Sequence, residues 1–217
     1  VIRVFLTDDQ ELVCYGLQTI LQTADDIEIV GMAHDGQEAL DLLAEAAPDV
    51  VLMDLNMPVM NGIQATQAIQ AHFPGIAVLV LTTYDDDEWL FDAIRSGAAG
   101  YLLKDSPREA LIAAVRAAAA GETPVDPSIA GRLFTRVARD AGPANPQVLA
   151  EFSDREIEIL RGIARGLSNQ EIAADLHLSD GTVRNYVTTV FEKLDVSNRT
   201  RAAIQALQLG LVDLREL

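Results

Sequence analysis

The stretch Val50-Val51-Leu52-Met53-Asp54-Leu55-Asn56-Met57-Pro58 is an apolar run that stops on a carboxylate. Three other short apolar runs also end in a reactive polar residue. Ile2–Leu6 leads into Thr7, Asp8 and Asp9, Val78–Leu81 into Thr82, and Tyr101–Leu103 into Lys104. As parallel strands of one sheet, these runs would deliver their terminal polar residues to a single edge. Open α/β sheets place ligands outside the carboxyl ends of their strands. Carboxylates, a hydroxyl and an ammonium gathered there suit a metal ion and a phosphoryl group.

Outward from that stretch, the first 120 residues alternate two kinds of segment. Strand runs are predicted at Ile2–Leu6, Ile27–Ala33, Val50–Met53, Ala77–Leu81 and Gly100–Leu103. Helical spacing is predicted at Glu11–Ala24, Gly36–Ala46, Gly62–His72, Asp87–Ser96 and Pro107–Ala120. This order specifies an α/β fold, a doubly wound five-stranded parallel sheet of flavodoxin-like kind over residues 1–121. Right-handed crossovers put helices on both faces. The acidic run Asp85-Asp86-Asp87-Glu88 is expected to complement the dipole of the helix that follows.

Gly121-Glu122-Thr123-Pro124 stops the last of these helices. Residues 122–148 are expected to form a linker with a helix over 126–140. Its joint is expected at Ala141-Gly142-Pro143-Ala144-Asn145-Pro146. Beyond it no strand pattern remains, and 149–217 reads as an all-α domain. Ser153 with Glu156 is a capping box opening Asp154–Arg165, and Ser168 with Glu171 opens Asn169–Leu176. After the turn His177-Leu178-Ser179, a third helix runs Asp180–Leu194 and a fourth Thr200–Leu209. A short helix, a tight turn and a longer helix form the helix-turn-helix outline.

The formal net charge is −17. Residues 1–148 hold 8 Lys+Arg against 22 Asp+Glu, and residues 149–217 hold 8 against 11. Such a chain repels nucleic acid at long range, so any DNA contact must rest on a local face. The single cysteine, Cys14, excludes an internal disulfide framework and is expected as a buried thiol. No apolar run approaches the ~20 residues of a membrane span, and no signal-peptide pattern opens the chain. A cytoplasmic protein without a membrane partner is expected.

Asp8, Asp9 and Asp54 together would be a costly cluster of negative charge without a cation. Mg²⁺ relieves that cost, taking oxygen ligands from these carboxylates and from the Asn56 backbone carbonyl. Asp54 can then act as a carboxylate nucleophile and form an aspartyl phosphate. Lys104 supplies a point charge, and the Thr82 hydroxyl can donate to a phosphoryl oxygen.

These residues resemble the receiver domain of two-component response regulators. Thr7-Asp8-Asp9, Val51–Pro58, Gly62, Leu81-Thr82-Thr83 and Gly100–Lys104 carry the resemblance. It implies that Asp54 accepts phosphate from a sensor histidine kinase. It also implies that Asp8, Asp9 and the Asn56 carbonyl hold magnesium, and that Thr82 and Tyr101 form a switch pair. In that switch Thr82 moves inward and the Tyr101 ring fills the space left beneath. One departure is that Asp105 follows Lys104, where many receivers carry proline in a cis bond.

Residues 149–217 resemble the LuxR/FixJ-type helix-turn-helix domain, so the whole chain resembles a NarL-subfamily response regulator. Ser153–Glu156, Gly166–Ala173, Leu178–Val187 and Lys193-Leu194 carry that resemblance. Val183, Val187, Val190 and Leu194 fall on one face of the third helix and are expected to be buried. Thr182, Arg184, Asn185, Thr188 and Thr189 face outward. Arg184 suits guanine or phosphate and Asn185 suits adenine. Ser179 and Thr182 suit a phosphate at the helix start, with Lys193 and Arg199 adding phosphate contacts at the flanks. With so few cations, binding is expected to need a homodimer on paired half-sites of double-stranded DNA.

The expected function is therefore a DNA-binding transcription regulator activated by phosphoryl transfer to Asp54. It is not an enzyme beyond accepting that group and releasing it by autodephosphorylation. Two alternatives differ in class. A haloacid-dehalogenase-type phosphohydrolase also uses a strand-end aspartyl phosphate, but wants an aspartate where this chain has Asn56. A phosphorylation-independent regulator would keep the receiver as a dimerisation module.

Overall fold

A computed structural model describes residues 1–83, 87–126, 129, 146–196 and 198–212. It divides into two units, the first running Val1–Ile129.

The first unit is built around five parallel strands, β1 (Ile2–Thr7), β2 (Ile27–Ala33), β3 (Val50–Met53), β4 (Ala77–Thr82) and β5 (Gly100–Leu103). Their order is β2-β1-β3-β4-β5, so the winding reverses beside β1. That reversal is where such sheets leave a crevice at the carboxyl edge. The helices are α1 (Glu11–Leu21), α2 (Gly36–Ala46), α3 (Gly62–His72), α4 (Asp87–Arg95) and α5 (Arg108–Ala119). Alternation along each strand feeds two cores. Val4, Leu6, Val50, Leu52, Leu79 and Leu81 pack with residues of α1 and α5. Phe5, Val51, Met53 and Val78 pack with residues of α2 and α3 on the other face. Burial on both faces explains why these strands read as unbroken apolar runs.

Both strands that end in threonine reach one residue further than expected, through Thr7 and Thr82. Helix α1 ends earlier, because Leu21–Ala24 turns inward and Ala24 joins the core. Pro107 precedes α5 rather than opening it. No cis peptide bond occurs among the described residues, including the Lys104–Asp105 step.

The segment after α5 is not a free linker from residue 122. The Tyr101 amide donates to the Pro124 carbonyl at 2.8 Å, and the Asp126 amide donates to the Tyr101 carbonyl at 2.9 Å. Val125 thus bridges the outer edge of β5 in parallel sense. Gly100 is required by this approach, since a Cβ there would lie 2.5 Å from the Pro124 carbonyl oxygen. Ile129 is buried. The expected helix over 126–140 and the joint over 141–146 lie, but for their ends, outside the described residues. So does the first half of the acidic run 85–88.

The described part of the second unit is helical: α6 (Pro146–Leu149), α7 (Asp154–Ala164), α8 (Asn169–Leu176), α9 (Asp180–Leu194) and α10 (Arg199–Gln208). Helix α6 stands where loop was expected. Ser153 and Ser168 each accept from the amide three residues on, while Glu156 and Glu171 accept from the serine amides, closing both capping boxes. Ser179 caps α9 through the Thr182 amide. His177 ends α8 in the left-handed region at φ 55°, which makes the tight turn into α9. Val183, Val190 and Leu194 are buried, and Val187 is half-buried. Ala206 and Leu207 of α10 belong to the core, while Ala203 and Gly210 stay partly exposed. Among the described residues no helix is long and apolar enough to cross a membrane.

Candidate functional site

The carboxyl edge of the sheet collects residues from β1, β3, β4 and β5. Each strand leaves the core on a polar residue, so the hydrogen-bond ladder itself aligns the site. The Asp54 amide donates to the Thr7 carbonyl at 2.8 Å, the Asp8 amide to Ala33 at 3.1 Å, and the Lys104 amide to Thr82 at 2.9 Å. Asp8 and Asp54 are buried, Asp9 is exposed, and one carboxylate oxygen from each lies within 4.8 Å of the others. Lys104 reaches both buried carboxylates, with Nζ 2.5 Å from Asp8 Oδ2 and 3.3 Å from Asp54 Oδ1.

The electrostatics follow from this packing. Burial, together with the nearby Asp8 charge, lifts the Asp54 carboxyl above the ordinary aspartate range, although Lys104 opposes the rise. Burial pulls the Lys104 ammonium down, but the Asp8 and Asp54 carboxylates outweigh it and hold the group above its usual value. A cation thus already balances two of the three carboxylates, and the third opens to solvent. Three oxygen donors on one small patch are the donor set of a hard divalent cation that keeps several waters. Asn56 sits exposed two residues past Asp54, on the loop beside the cluster.

That loop is held tight by Gly62, whose amide donates to the Leu55 carbonyl at 3.0 Å. A Cβ at Gly62 would collide with the Asp54 carbonyl, so only glycine allows α3 to start here. Asn61 caps α3 in a further capping box with Gln64. Thr82 is buried at the end of β4. The Tyr101 ring is fully buried, and its hydroxyl has no hydrogen-bond partner among the described residues. Burial raises that phenol well above its usual range.

Two contacts escape sequence reasoning. His34 Nδ1 lies 3.2 Å from the Asp8 carbonyl oxygen, and the buried Cys14 thiol lies 3.5 Å from the same oxygen. Burial and the Asp8 charge push that thiol up to about 11. No spacing links His34 to Asp8; only the pairing of Thr7 with Ala33 does.

In the second unit, helix α9 presents Arg184, Asn185 and Thr188 to solvent, with Thr182 and Thr189 half-exposed. The hydroxyls of Thr188 and Thr189 donate back to the Arg184 and Asn185 carbonyls at 3.1 and 3.0 Å. The Ser179 and Thr182 hydroxyls bond each other at 2.8 Å. Lys193 and Arg199, expected as flanking phosphate contacts, both find partners within their own domain, Lys193 while still exposed and Arg199 while buried. Lys193 Nζ lies 2.7 Å from Glu156 Oε1 and 2.9 Å from the Glu151 carbonyl oxygen, above the Phe152 ring. Arg199 is 7 % exposed and donates to Asn169 and to the Leu167 carbonyl. Both cations went to carbonyl and carboxylate groups that a sequence does not place beside them.

Comparison with known proteins addresses both units. The profile of the response regulator receiver domain matches residues 4–116, and that of the bacterial regulatory proteins of the luxR family matches residues 150–206. The transcriptional regulatory protein LiaR of Bacillus subtilis is 41 % identical over 212 residues, covering 98 % of this chain and 100 % of LiaR. The crystal structure of the response regulator ChrA, from a heme-sensing two-component system, is 40 % identical. It covers 97 % of this chain and 98 % of its own, with a TM-score of 0.54. A structure of two RcsB dimers bound to two parallel DNAs is 25 % identical, covering 98 % and 99 %, with a TM-score of 0.58.

Proposed function

Because this chain belongs to the response regulators that join a receiver domain to a LuxR-type DNA-binding domain, we propose that Asp54 is its phosphoacceptor. It is a two-component transcription regulator and not a classical enzyme. The observation that carries the proposal is the meeting of Asp8, Asp9 and Asp54 within 4.8 Å, with Lys104 bridging Asp8 and Asp54.

An Asp54 carboxylate oxygen takes the phosphoryl group from a phosphohistidine of a sensor kinase. The O–P bond forms as the N–P bond breaks, and the imidazole nitrogen keeps the electron pair. Asp8, Asp9, Asp54 and the Asn56 carbonyl would hold Mg²⁺, which when bound supplies charge neutralisation at the phosphoryl oxygens. Lys104 balances the negative charge that arrives, and the Thr82 hydroxyl donates to a phosphoryl oxygen. Water reaching the open Asp9 side returns the group as phosphate, which is the autodephosphorylation of the site.

The output is DNA binding by α9 as a homodimer in the cytoplasm. The occupied site biases the packing of Thr82 and Tyr101, the latter joined by its backbone to Pro124 and Asp126. Similarity over nearly the full length of RcsB, whose solved structure holds two dimers bound to two parallel DNAs, supports this output. The direct test is mass spectrometry after incubation with acetyl phosphate and Mg²⁺. The wild type should gain one phosphoryl group and Asp54→Asn none; equal incorporation would remove Asp54 from the role.

A further inference from the structure

Helix α9 carries two cations, and each is paired with a carboxylate. Lys193 is held by Glu156, and Arg184 Nη2 lies 2.9 Å from Asp180 Oδ2, one turn earlier on the same helix. The Arg184 side chain is 70 % exposed and the Asp180 side chain 36 %, so the guanidinium stands on the outward face while the carboxylate that holds it is half-buried beside it. An exposed pair at this spacing stabilises a helix only slightly. Helix capping does not require Asp180 either, because Ser179 already caps the Thr182 amide. A carboxylate at the DNA-facing end of a recognition helix does have a strong effect elsewhere. It cancels attraction for phosphate, in a domain with little positive charge to spare.

The remaining outward groups point the same way. The Thr188 and Thr189 hydroxyl protons are spent on helix carbonyls, which leaves methyl groups and lone pairs for a partner. Phosphate oxygens accept hydrogen bonds and gain nothing from either. Base edges can use both: a thymine methyl packs on a threonine methyl, and exocyclic amines donate to lone pairs.

We infer that Asp180 is a specificity-determining residue of the recognition helix, holding the Arg184 guanidinium for base-edge readout and away from the phosphate backbone. The inference rests on α9 being the DNA-reading helix. Arg184 keeps its further N–H donors for the O6 and N7 acceptors of guanine while Nη2 is tethered. A guanidinium tethered by a neighbour loses less freedom on binding a base and is less able to swing to a phosphate. The domain gives up sequence-independent affinity and gains discrimination.

The test uses the full chain, a randomised 30-base-pair duplex library for selection, and a fixed random duplex for salt titration. Asp180→Asn should bind the random duplex several-fold more tightly. Its log affinity against log salt should steepen by about 0.9 as Arg184 gains a phosphate. The base pair read by Arg184 in the selected sequence should lose its preference by about tenfold. Asp180→Glu, which restores the carboxylate, should return slope and preference to wild type. Arg184→Lys should keep affinity for the random duplex and lose the preference. An Asp180→Asn protein with unchanged slope and unchanged selected sequence overturns the assignment of Asp180 alone. A wild type that selects no sequence at all overturns base reading by α9 and the inference with it.

Discussion

Lys104, which follows β5, lies 2.5 Å from Asp8, which follows β1, although β3 and β4 stand between those strands in the sheet. The long lysine side chain spans the crevice that the reversal of strand order opens. Among the described residues, its ammonium is the cation paired with both buried carboxylates, Asp8 and Asp54.

Replacing Lys104 by methionine should therefore leave Asp8 and Asp54 repelling each other. A buried pair broken on one side costs about 3–5 kcal/mol, and this site is partly open, so a loss of about 1–3 kcal/mol is expected. Mg²⁺ should stabilise Lys104→Met more than wild type, because ligand binding to the folded state adds stability. Urea denaturation with and without Mg²⁺ checks this; identical Mg²⁺ increments in both proteins would contradict it.

Tyr101 presents a simpler case. Its hydroxyl is buried without a hydrogen-bond partner among the described residues. Removing an unsatisfied buried polar group relieves its desolvation cost. Tyr101→Phe should be neutral or more stable, by up to about 1 kcal/mol. A clear drop in thermal midpoint would show that the hydroxyl is bonded in solution.

Glu156 couples the second unit to pH. Burial raises its carboxyl, but Lys193 and the Ser153 groups outweigh burial and hold it below the ordinary glutamate range. A carboxylate with a depressed folded pKa contributes stability that is complete above its unfolded value. That contribution is lost as pH falls through the lower folded value. Wild type should thus lose more stability than Glu156→Gln on acidification below the ordinary glutamate range. At neutral pH, Glu156→Gln should already be about 1–2 kcal/mol less stable, through the weakened cap and ion pair. Denaturant midpoints across an acid series provide the measurement.

Arg199 separates a structural cation from a DNA contact. Its guanidinium holds the Leu167 carbonyl and Asn169 at the start of α8. Arg199→Ala should destabilise the domain by about 2–4 kcal/mol, leaving those acceptors unpaired. Where the protein is still folded, the salt dependence of DNA binding should match wild type. A slope shallower by about 0.9 would instead return Arg199 to the phosphate backbone.

Much of this molecule could be read from local signals. Strand periods, helix caps and the polar residue ending each apolar run depend on neighbours a few positions away. The second, third and fifth strands, and helices such as Gly62–His72 and Asp180–Leu194, accordingly fall where their patterns put them. The cluster of Asp8, Asp9, Asp54 and Lys104 was legible for the same reason, since a parallel sheet brings all strand ends to one edge. The fate of individual charges was not legible. Lys193 meets Glu156 across 37 positions and Arg199 meets Asn169 across 30, and no pattern along the chain encodes either meeting. Helix packing alone decided that these cations meet partners within their own domain. It also set Val125 against β5 and enclosed the Tyr101 ring, because only the folded sheet creates an edge to cover and a space to fill.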